Sequence, residues 1–304
     1  MLKNKIKIIF LLMCLSSVLH AQDAYFSNYP QNHLWYNPAY AGVDSTHEFS
    51  LSGRTQWSST YNTVMLSYDQ PLEKIHSGIG VKVLYDRSGS APMEKYYGAL
   101  CYNYKIRLAD EMNLRIGMQA AFDYARINTS GLTFGGYYSD TGYVNTPTTD
   151  IPLLIENSSL DFGAGIWYSF KNFYVGFSVQ HISNPLLKIS YGTYYSLYKN
   201  YISTAGYKLK LGKHFSTIPS AISMIQGPSK FFEVSNDFIL NETYYLGAGF
   251  RGINNLNRLT ARGGVRWKKK FQVMVAVDFG VQSELATYSQ NFVACEANLK
   301  YMFR

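Results

Sequence analysis

Hydrophobic and polar residues alternate one by one along most of the chain from about residue 47 onward. The run at 112–124 shows this pattern most clearly. One of its faces consists of Met112, Leu114, Ile116, Met118, Ala120, Phe122 and Tyr124, and the other of Asn113, Arg115, Gly117, Gln119, Ala121 and Asp123. A period of two residues is typical of β-strands with one apolar and one polar face. The pattern therefore predicts an all-β protein.

Fourteen such strands can be placed, and they are longer than those of most β-sandwiches. The predicted strands are 47–56, 60–69, 76–86, 94–106, 112–126, 159–170, 172–181, 200–211, 215–226, 230–240, 243–251, 258–268, 270–280 and 291–303. Sandwich strands typically have about 5 to 6 residues, whereas strands that cross a bilayer at a tilt need about 9 to 11. Cations on the polar faces would point into a lumen, and these are Lys82, Arg115, Lys208, Lys210, Arg262 and Arg266. We expect a transmembrane outer-membrane β-barrel of fourteen antiparallel strands.

The lengths of the connections predict how this barrel is oriented. The longest connections, 127–158, 182–199 and 281–290, all follow odd-numbered strands, and those after even-numbered strands are short. Outer-membrane barrels have short periplasmic turns and long external loops. Both termini are therefore predicted to lie in the periplasm.

The first 21 residues have the pattern of a secretory signal peptide, with three lysines before an apolar stretch from Ile8 to Leu15 and small or polar residues up to Ala21. Cys14 allows a lipoprotein interpretation, although Met13 fits it poorly. We divide the chain into a signal peptide at 1–21, an N-terminal signature or plug segment at 22–46 and a transmembrane barrel at 47–304. Loss of the three lysines would lower the formal charge from +8 to +5, which is weak support for a nucleic-acid partner.

The composition supports a membrane protein that does not cross the bilayer by helices. Only 16% of the residues are charged and another 16% are aromatic, compared with about 25% charged residues in ordinary soluble domains. No apolar stretch of about 18 residues follows the leader. An exported chain of this kind spans a membrane as a closed barrel, because every backbone polar group in lipid needs a partner.

The sequence shows no arrangement of residues that predicts catalysis or metal binding, so we expect a non-enzymatic protein without a cofactor. The histidines that follow the leader are interpreted as turn and rim residues, and they are His33, His47, His76, His181 and His214. Cys101 and Cys295 could form a disulfide after export, but their strands are distant in order and present them to opposite faces. Two unpaired wall residues are therefore favoured.

Tyrosines and one tryptophan fall into two groups. The first group lies near strand ends or on apolar faces, as in an interfacial girdle, and comprises Tyr96, Tyr102, Tyr104, Tyr168, Tyr201, Tyr207, Trp267 and Tyr301. A sugar-binding aromatic surface is the alternative. The second group lies in the two longest loops and comprises Tyr137, Tyr138, Tyr143, Tyr191, Tyr194, Tyr195 and Tyr198. Exposed loop tyrosines often bind a partner, since they offer a large contact area at low entropic cost, but these side chains could also fold inward.

The segment before the first strand is too aromatic for a linker and too irregular for a strand. Pro38 should keep Asn37 out of the α region, and Gly42 can adopt a positive φ before the first strand. The signature comprises Tyr36, Asn37, Pro38, Ala39, Tyr40, Ala41 and Gly42. With the Gln22-Asp23 start, the following Gly53-to-Trp57 strand and the runs at 201–207 and 244–251, it resembles the PorP/SprF family of outer-membrane proteins in type IX secretion and gliding motility. The stretch 28–33 and the Arg304 ending depart from the family pattern.

The resemblance implies protein secretion without catalysis. The implied partners are a secreted surface adhesin or its C-terminal targeting domain, and periplasmic ring, motor or peptidoglycan-linked proteins, with outer-membrane lipid around the barrel and no nucleic acid. We expect the long loops to contact the adhesin, and we expect the segment at 22–46 to form a periplasmic or lumenal plug. A general porin or solute channel is the alternative, because fourteen strands leave a wide lumen unless it is filled.

Overall fold

The computed structural model describes residues 23–56, 60–89, 93–128, 138–139, 142–143, 154–190, 193–253, 256–282 and 293–304, with the backbone alone at 138–139, 142–143, 187–190, 193–195, 256 and 282. Its main element is one antiparallel sheet. The barrel strands are β1 (His47–Gln56), β2 (Tyr61–Leu72), β3 (Ser77–Ser88), β4 (Met93–Ala109), β5 (Met112–Asn128), β6 (Leu154–Phe170), β7 (Phe173–Gln180), β8 (Asn200–Tyr207), β9 (Phe215–Gln226), β10 (Ser229–Leu240), β11 (Tyr244–Ile253), β12 (Leu256–Trp267), β13 (Phe271–Gln282) and β14 (Ala294–Phe303). Each strand pairs with its neighbours in the chain, and β1 pairs with β14, so the sheet closes into a barrel. The prediction of fourteen strands is confirmed.

Smaller strands accompany the barrel. Leu209–Lys210 continues the pairing of β8 with β9. Two short hairpins lie in the long connections, one formed by Tyr138–Ser139 with Gly142–Tyr143 and the other by Leu186–Ser190 with Thr193–Ser196. The longest connection is shorter than predicted, because β5 and β6 stay paired as far as Asn128 and Leu154.

The two ends of the barrel differ in their connections. We call the end with the connections after even-numbered strands the turn rim and the opposite end the loop rim. Two-residue links join β4 to β5 and β6 to β7 at the turn rim, and the connection from β7 to β8 at the loop rim runs from 181 to 199. His47 and Phe303 pair at the turn rim, so β1 begins and β14 ends there.

The wall has the polarity of a membrane barrel. Large apolar side chains such as Leu100, Met118 and Leu160 point outward and are 65%, 63% and 67% exposed. Polar and charged side chains such as Lys82 and Gln119 point inward and are buried. In a soluble protein the apolar face of a strand packs in the core, whereas here it points outward to lipid and the polar face points inward.

Several predicted wall residues can be placed individually. Lys82, Arg115 and Arg262 are buried in the interior as expected. Lys208 and Arg266 are half-buried, but the prediction for Lys210 is wrong, because β8 ends at Tyr207 and Lys210 is exposed. The predicted girdle residues are exposed except for Tyr168, which is half-buried. Among the described residues, no helix is long and apolar enough to cross a membrane.

The two cysteines within the described part of the chain do not pair. Cys101 is buried and Cys295 is exposed, and both are free thiols. They lie on opposite faces of the wall, as the alternation predicts. The favoured interpretation of two unpaired wall residues is therefore confirmed.

Candidate functional site

The segment from Asp23 to Thr46, called the inner segment below, lies inside the barrel as far as Val43, and Asp44 and Ser45 are exposed. It contains a 3₁₀ turn at Tyr29–Gln31, the one-turn helix α1 at His33–Tyr36 and a second 3₁₀ turn at Pro38–Tyr40. Phe26 and Tyr29 are fully buried. Such short helical turns cannot be stable alone, so packing against the wall has to hold them.

The inner segment runs the length of the lumen. At the loop rim, the side chains of His181, Asn200 and Gln226 bond the carboxylate of Asp23. Towards the turn rim, the amide nitrogen of Gly42 donates to Asp69 Oδ2 at 2.7 Å. The chain thus crosses the interior once before it enters β1.

The Asn-Pro turn of the signature binds the wall directly. Asn37 has an extended backbone with φ −144°, as expected before proline, and its Oδ1 accepts from the amide of Ala39 at 2.9 Å. Its Nδ2 donates to the main-chain oxygen of Ile166 on β6 at 2.9 Å. Gly42 has φ +64°, so both sequence-based expectations about this turn are confirmed.

Glycines of the wall make room for the signature. A Cβ added at Gly78 would lie 2.0 Å from the oxygen of Ala41, and one at Gly117 would lie 2.5 Å from the Cα of Ala39. Such distances are far inside van der Waals contact. The wall and the signature therefore fit each other at the level of the main chain.

Donors from two sides of the wall meet the C-terminal carbonyls of α1. Lys82 Nζ donates to the oxygen of Trp35 at 2.9 Å, and Gln180 Nε2 donates to the same oxygen at 2.9 Å. Ser178 Oγ donates to the oxygen of Tyr36 at 2.5 Å. So short a helix leaves these carbonyls without partners of its own, so side chains of the wall donate to them.

A buried network of arginines and carboxylates holds Ser27. The amide of Ser27 donates to Glu296 at 2.5 Å, and its hydroxyl donates to Asp278 at 2.8 Å. Its carbonyl accepts from Arg262 Nη1 at 2.9 Å. Arg54 Nη2 lies 2.7 Å from Asp278 Oδ2.

Arg251 completes this network. It lies 2.7 Å from Asp278 and 2.5 Å from Glu233, and all three side chains are fully buried. Buried charges are tolerated only when paired and hydrogen-bonded, so this network fixes one geometry of the wall and of Ser27.

A second charged cluster lies at the loop rim. The imidazole of His181 bridges two carboxylates, with Nδ1 2.7 Å from Asp161 and Nε2 2.7 Å from Asp23. Lys95 Nζ lies 3.5 Å from Asp23 and 3.2 Å from Asp123. Burial alone would lower the pKa of His181, but the adjacent carboxylates outweigh it and raise the pKa to about 9.

His33 lies in an aromatic environment deeper in the barrel. Its ring is 4.8, 5.2 and 5.3 Å from those of Tyr40, Trp167 and Tyr174. Burial lowers the pKa of His33 to about 4, so it is neutral near pH 7. The interpretation of the histidines as turn and rim residues is wrong for His33, which is buried inside the barrel. His181 does lie at the loop rim, but its side chain is buried between two carboxylates.

The structure places all the predicted signature residues together, but it describes the side chain of only one of the seven loop tyrosines, Tyr198. The signature residues Tyr36, Asn37, Pro38, Ala39, Tyr40, Ala41 and Gly42 are all buried. Tyr137 and Tyr191 lie outside the described residues, and only the backbone is described for Tyr138, Tyr143, Tyr194 and Tyr195. Tyr198 is 43% exposed at the loop rim.

Neither charged cluster was predicted as a site from the sequence. The signal was present in part, because Asp123 and Asp161 occupy inward positions on paired strands, where Asp123 is the cross-strand partner of Ser159. What could not be read from the sequence is that His181 and Asp23 meet them, since this depends on how the barrel closes around the inner segment.

A closed antiparallel barrel with an apolar outer face and a charged interior is an outer-membrane type of membrane protein. The family model for "Type IX secretion system membrane protein PorP/SprF" matches residues 18–301. The chain belongs to the PorP/SprF family. No curated protein matches it significantly.

Solved structures of bacterial barrels are similar to the chain in fold. The toluene transporter TodX of Pseudomonas putida is 12% identical, with a TM-score of 0.51 over 88% of this chain and 92% of that chain. Omp33 of Acinetobacter baumannii is 8% identical, with a TM-score of 0.48 over 85% of this chain and 99% of that chain. The KdgM porin is 8% identical, with a TM-score of 0.39 over 84% of this chain and 99% of that chain. At such identities, TodX shows the shared barrel fold alone.

Proposed function

We propose that this protein is a non-enzymatic outer-membrane component of type IX secretion that receives or anchors the C-terminal domain of a secreted surface adhesin. The inner segment plugs the lumen, and the loop rim faces outward and contacts the cargo. The observation that carries the proposal is the set of buried hydrogen bonds between the inner segment and inward-facing side chains of the wall in a member of this family. A barrel with a filled lumen would act by binding other proteins at its rims, because it offers no open path for solutes.

Three sets of contacts support the plug. The inner segment is bonded to the wall at Asp23, at Ser27 and at the carbonyls of α1. A cavity of about 20 Å³ beside Asp23 and Phe231 has room for about one water molecule. Solutes would have to displace several buried hydrogen bonds to pass.

The loop rim offers the cargo surface. Its two longest connections carry the seven tyrosines predicted to bind a partner. Short turns are periplasmic in outer-membrane barrels, which supports an external loop rim and periplasmic termini.

Two loop deletions test the cargo proposal. The paired ends of β5 and β6 limit the first deletion to 130–152, and buried Leu197 limits the second to 186–196. Replacement of the turn 241–243 at the opposite rim is the control. We expect either loop deletion to abolish co-purification of the cargo while the barrel still inserts and migrates as a folded species in unheated gels. Cargo capture that persists in both deletions would contradict the loop assignment.

The porin alternative rests on the charged lining of the lumen, including Lys82, Arg115 and Arg262. Single-channel conductance of the purified protein in a planar bilayer separates the two functions. Silence supports a plugged anchor, and a large steady conductance supports a channel.

A periplasmic ring or peptidoglycan-linked partner is a further part of the proposal. Tyr36 and Tyr40 are buried, so this partner would dock at the turn rim. A cavity of about 580 Å³ lies there, lined by Ser45, His47, Pro71, Glu73, Lys74 and Arg304. A photo-cross-linker at Lys74 should trap a periplasmic protein, and one at Tyr198, on the opposite rim, should not trap that same protein. Equal trapping from both positions, or none from Lys74, would exclude this docking site.

A further inference from the structure

The side chains of Asp123, Asp161 and His181 converge at the loop-rim end of the lumen. One potential ligand atom from each lies within 4.8 Å of the others, and all three side chains are buried. They come from β5, from β6 and from the residue after β7. We propose that these three residues bind one divalent transition-metal ion, Zn²⁺ or Mn²⁺, and that Asp23 orients His181 for this ion. This inference is independent of the proposed cargo function.

The donor set suits such an ion. Two carboxylates and one imidazole are ligands that Zn²⁺ and related first-row ions accept, whereas Mg²⁺ and Ca²⁺ favour oxygen alone. Zinc lies about 2.0 to 2.2 Å from such donors, so tetrahedral ligands are roughly 3.4 Å apart. The three atoms lie within 4.8 Å of one another, so binding of an ion would have to draw the more distant pairs together.

Asp23 provides the outer partner that a metal-bound histidine usually has. Its Oδ2 lies 2.7 Å from His181 Nε2, which leaves Nδ1 directed at Asp161. A carboxylate on the second ring nitrogen fixes the tautomer and the ring orientation of a ligating histidine. Asn200 and Gln226 donate to the same oxygen of Asp23 and hold it in place.

Asp123 supplies a second and independent observation. It is 1% exposed, and its Oδ2 has no hydrogen-bond partner among the described residues. Lys95 approaches Oδ1 to 3.2 Å and balances part of its charge. A buried carboxylate normally accepts several hydrogen bonds, so Asp123 has the free coordination capacity of a ligand.

The net charge of the cluster favours a bound cation. Three carboxylates, those of Asp23, Asp123 and Asp161, face Lys95 and His181, so the group carries an excess of negative charge whether or not His181 is protonated. Excess buried charge is unfavourable unless a counter-ion balances it. A divalent ion would balance this charge. Through His181 it would also fasten Asp23 of the inner segment to the wall.

Isothermal titration of the purified, EDTA-treated full-length barrel with Zn²⁺ and with Mn²⁺ at pH 7 tests this site. We expect one ion per chain for at least one of the two metals. Asp161→Asn and Asp123→Asn should abolish this binding, and Asp23→Asn should weaken it about 10- to 100-fold. His214→Gln and Asp110→Asn change exposed groups at the turn rim and should bind as the wild type does.

The outcomes against the proposal are equally defined. Absence of stoichiometric binding by the wild type overturns it, as does binding that survives Asp123→Asn, because the ion would then be adventitious. Folding of every variant is checked by its migration in unheated gels. If Asp161→Asn fails to fold, Asp123→Asn carries the test, since Lys95 is the one polar partner of the Asp123 carboxylate among the described residues. X-ray absorption at the metal edge should report nitrogen and oxygen ligands without sulfur, and a sulfur ligand would contradict the assignment.

Discussion

The side-chain amide of Asn37 donates a 2.9 Å hydrogen bond to the main-chain oxygen of Ile166, although 129 residues separate the two. The same side chain accepts from the amide of Ala39, so one residue both shapes the Asn-Pro turn and attaches it to the wall. An amide side chain carries a separate donor group and a separate acceptor group, so Asn37 can make both bonds at the same time.

Asn37→Ala should destabilise the barrel, because it removes the cap of the second 3₁₀ turn and the bond to Ile166. Loss of a buried hydrogen bond costs about 1–3 kcal/mol. Urea unfolding in detergent measures the change. Asn172→Ala, an exposed substitution at the turn rim, is the control and should have little effect. Equal effects of the two substitutions would show that Asn37 does not fasten the segment.

Gly117→Ala should displace the inner segment, because the new Cβ would lie 2.5 Å from Ala39. Overpacking of this kind typically costs about 1–3 kcal/mol. Gly98→Ala is a matched control in the neighbouring strand, since nothing lies within 4 Å of its Cβ position. Thermal unfolding should give a lower midpoint for Gly117→Ala alone. A midpoint unchanged by Gly117→Ala would mean that the signature does not pack against this glycine in the folded protein.

Arg251→Met should be strongly destabilising, because it leaves Glu233 and Asp278 buried without this cation. Breaking a buried ion pair costs about 3–5 kcal/mol. Arg107→Met removes an exposed pair with Asp110, and such pairs contribute about 0–1 kcal/mol. The difference between the two unfolding free energies is the measurement. Similar values would show that the interior is hydrated and that the network has little effect on stability.

The stability of the barrel should fall in acid partly through His33. Burial lowers its pKa to about 4, whereas a free histidine has a pKa of about 6.5. The neutral side chain therefore contributes its full stabilisation above about pH 6.5, and this is lost as the pH falls towards 4, by ~3 kcal/mol in total.

His33→Phe keeps an aromatic ring at this position and removes the titration. Unfolding free energies at pH 7 and pH 5 should differ less for His33→Phe than for the wild type. The carboxylates are the same in both proteins, so their contribution to the pH dependence cancels in this comparison. An identical pH dependence in the two proteins would show that folding does not lower the pKa of His33.

Much of the fold can be predicted because a membrane barrel obeys a strict local rule. Along β5, Met118 faces lipid and Gln119 faces the interior, and the period of two follows from strand geometry alone. Strand ends are harder to predict. β6 begins before Ser159 because these additional residues pair with β5, including Glu156 opposite Arg126. The extended Asn37 and the positive φ of Gly42 were also predictable, because proline and glycine act on their immediate neighbours.

The sequence by itself determined the barrel, the number of its strands, the faces of its wall and the turn within its signature, because each of these follows from residues adjacent in the chain. Only the tertiary structure decided that the signature lies inside the lumen, that Asp23 reaches His181 and that Ser27 rests on the arginine network. The contacts of Asp23 with His181 and of Ser27 with Glu296 join residues more than a hundred positions apart, and they form only when closure of the sheet brings inward-facing side chains of separate strands together around the inner segment.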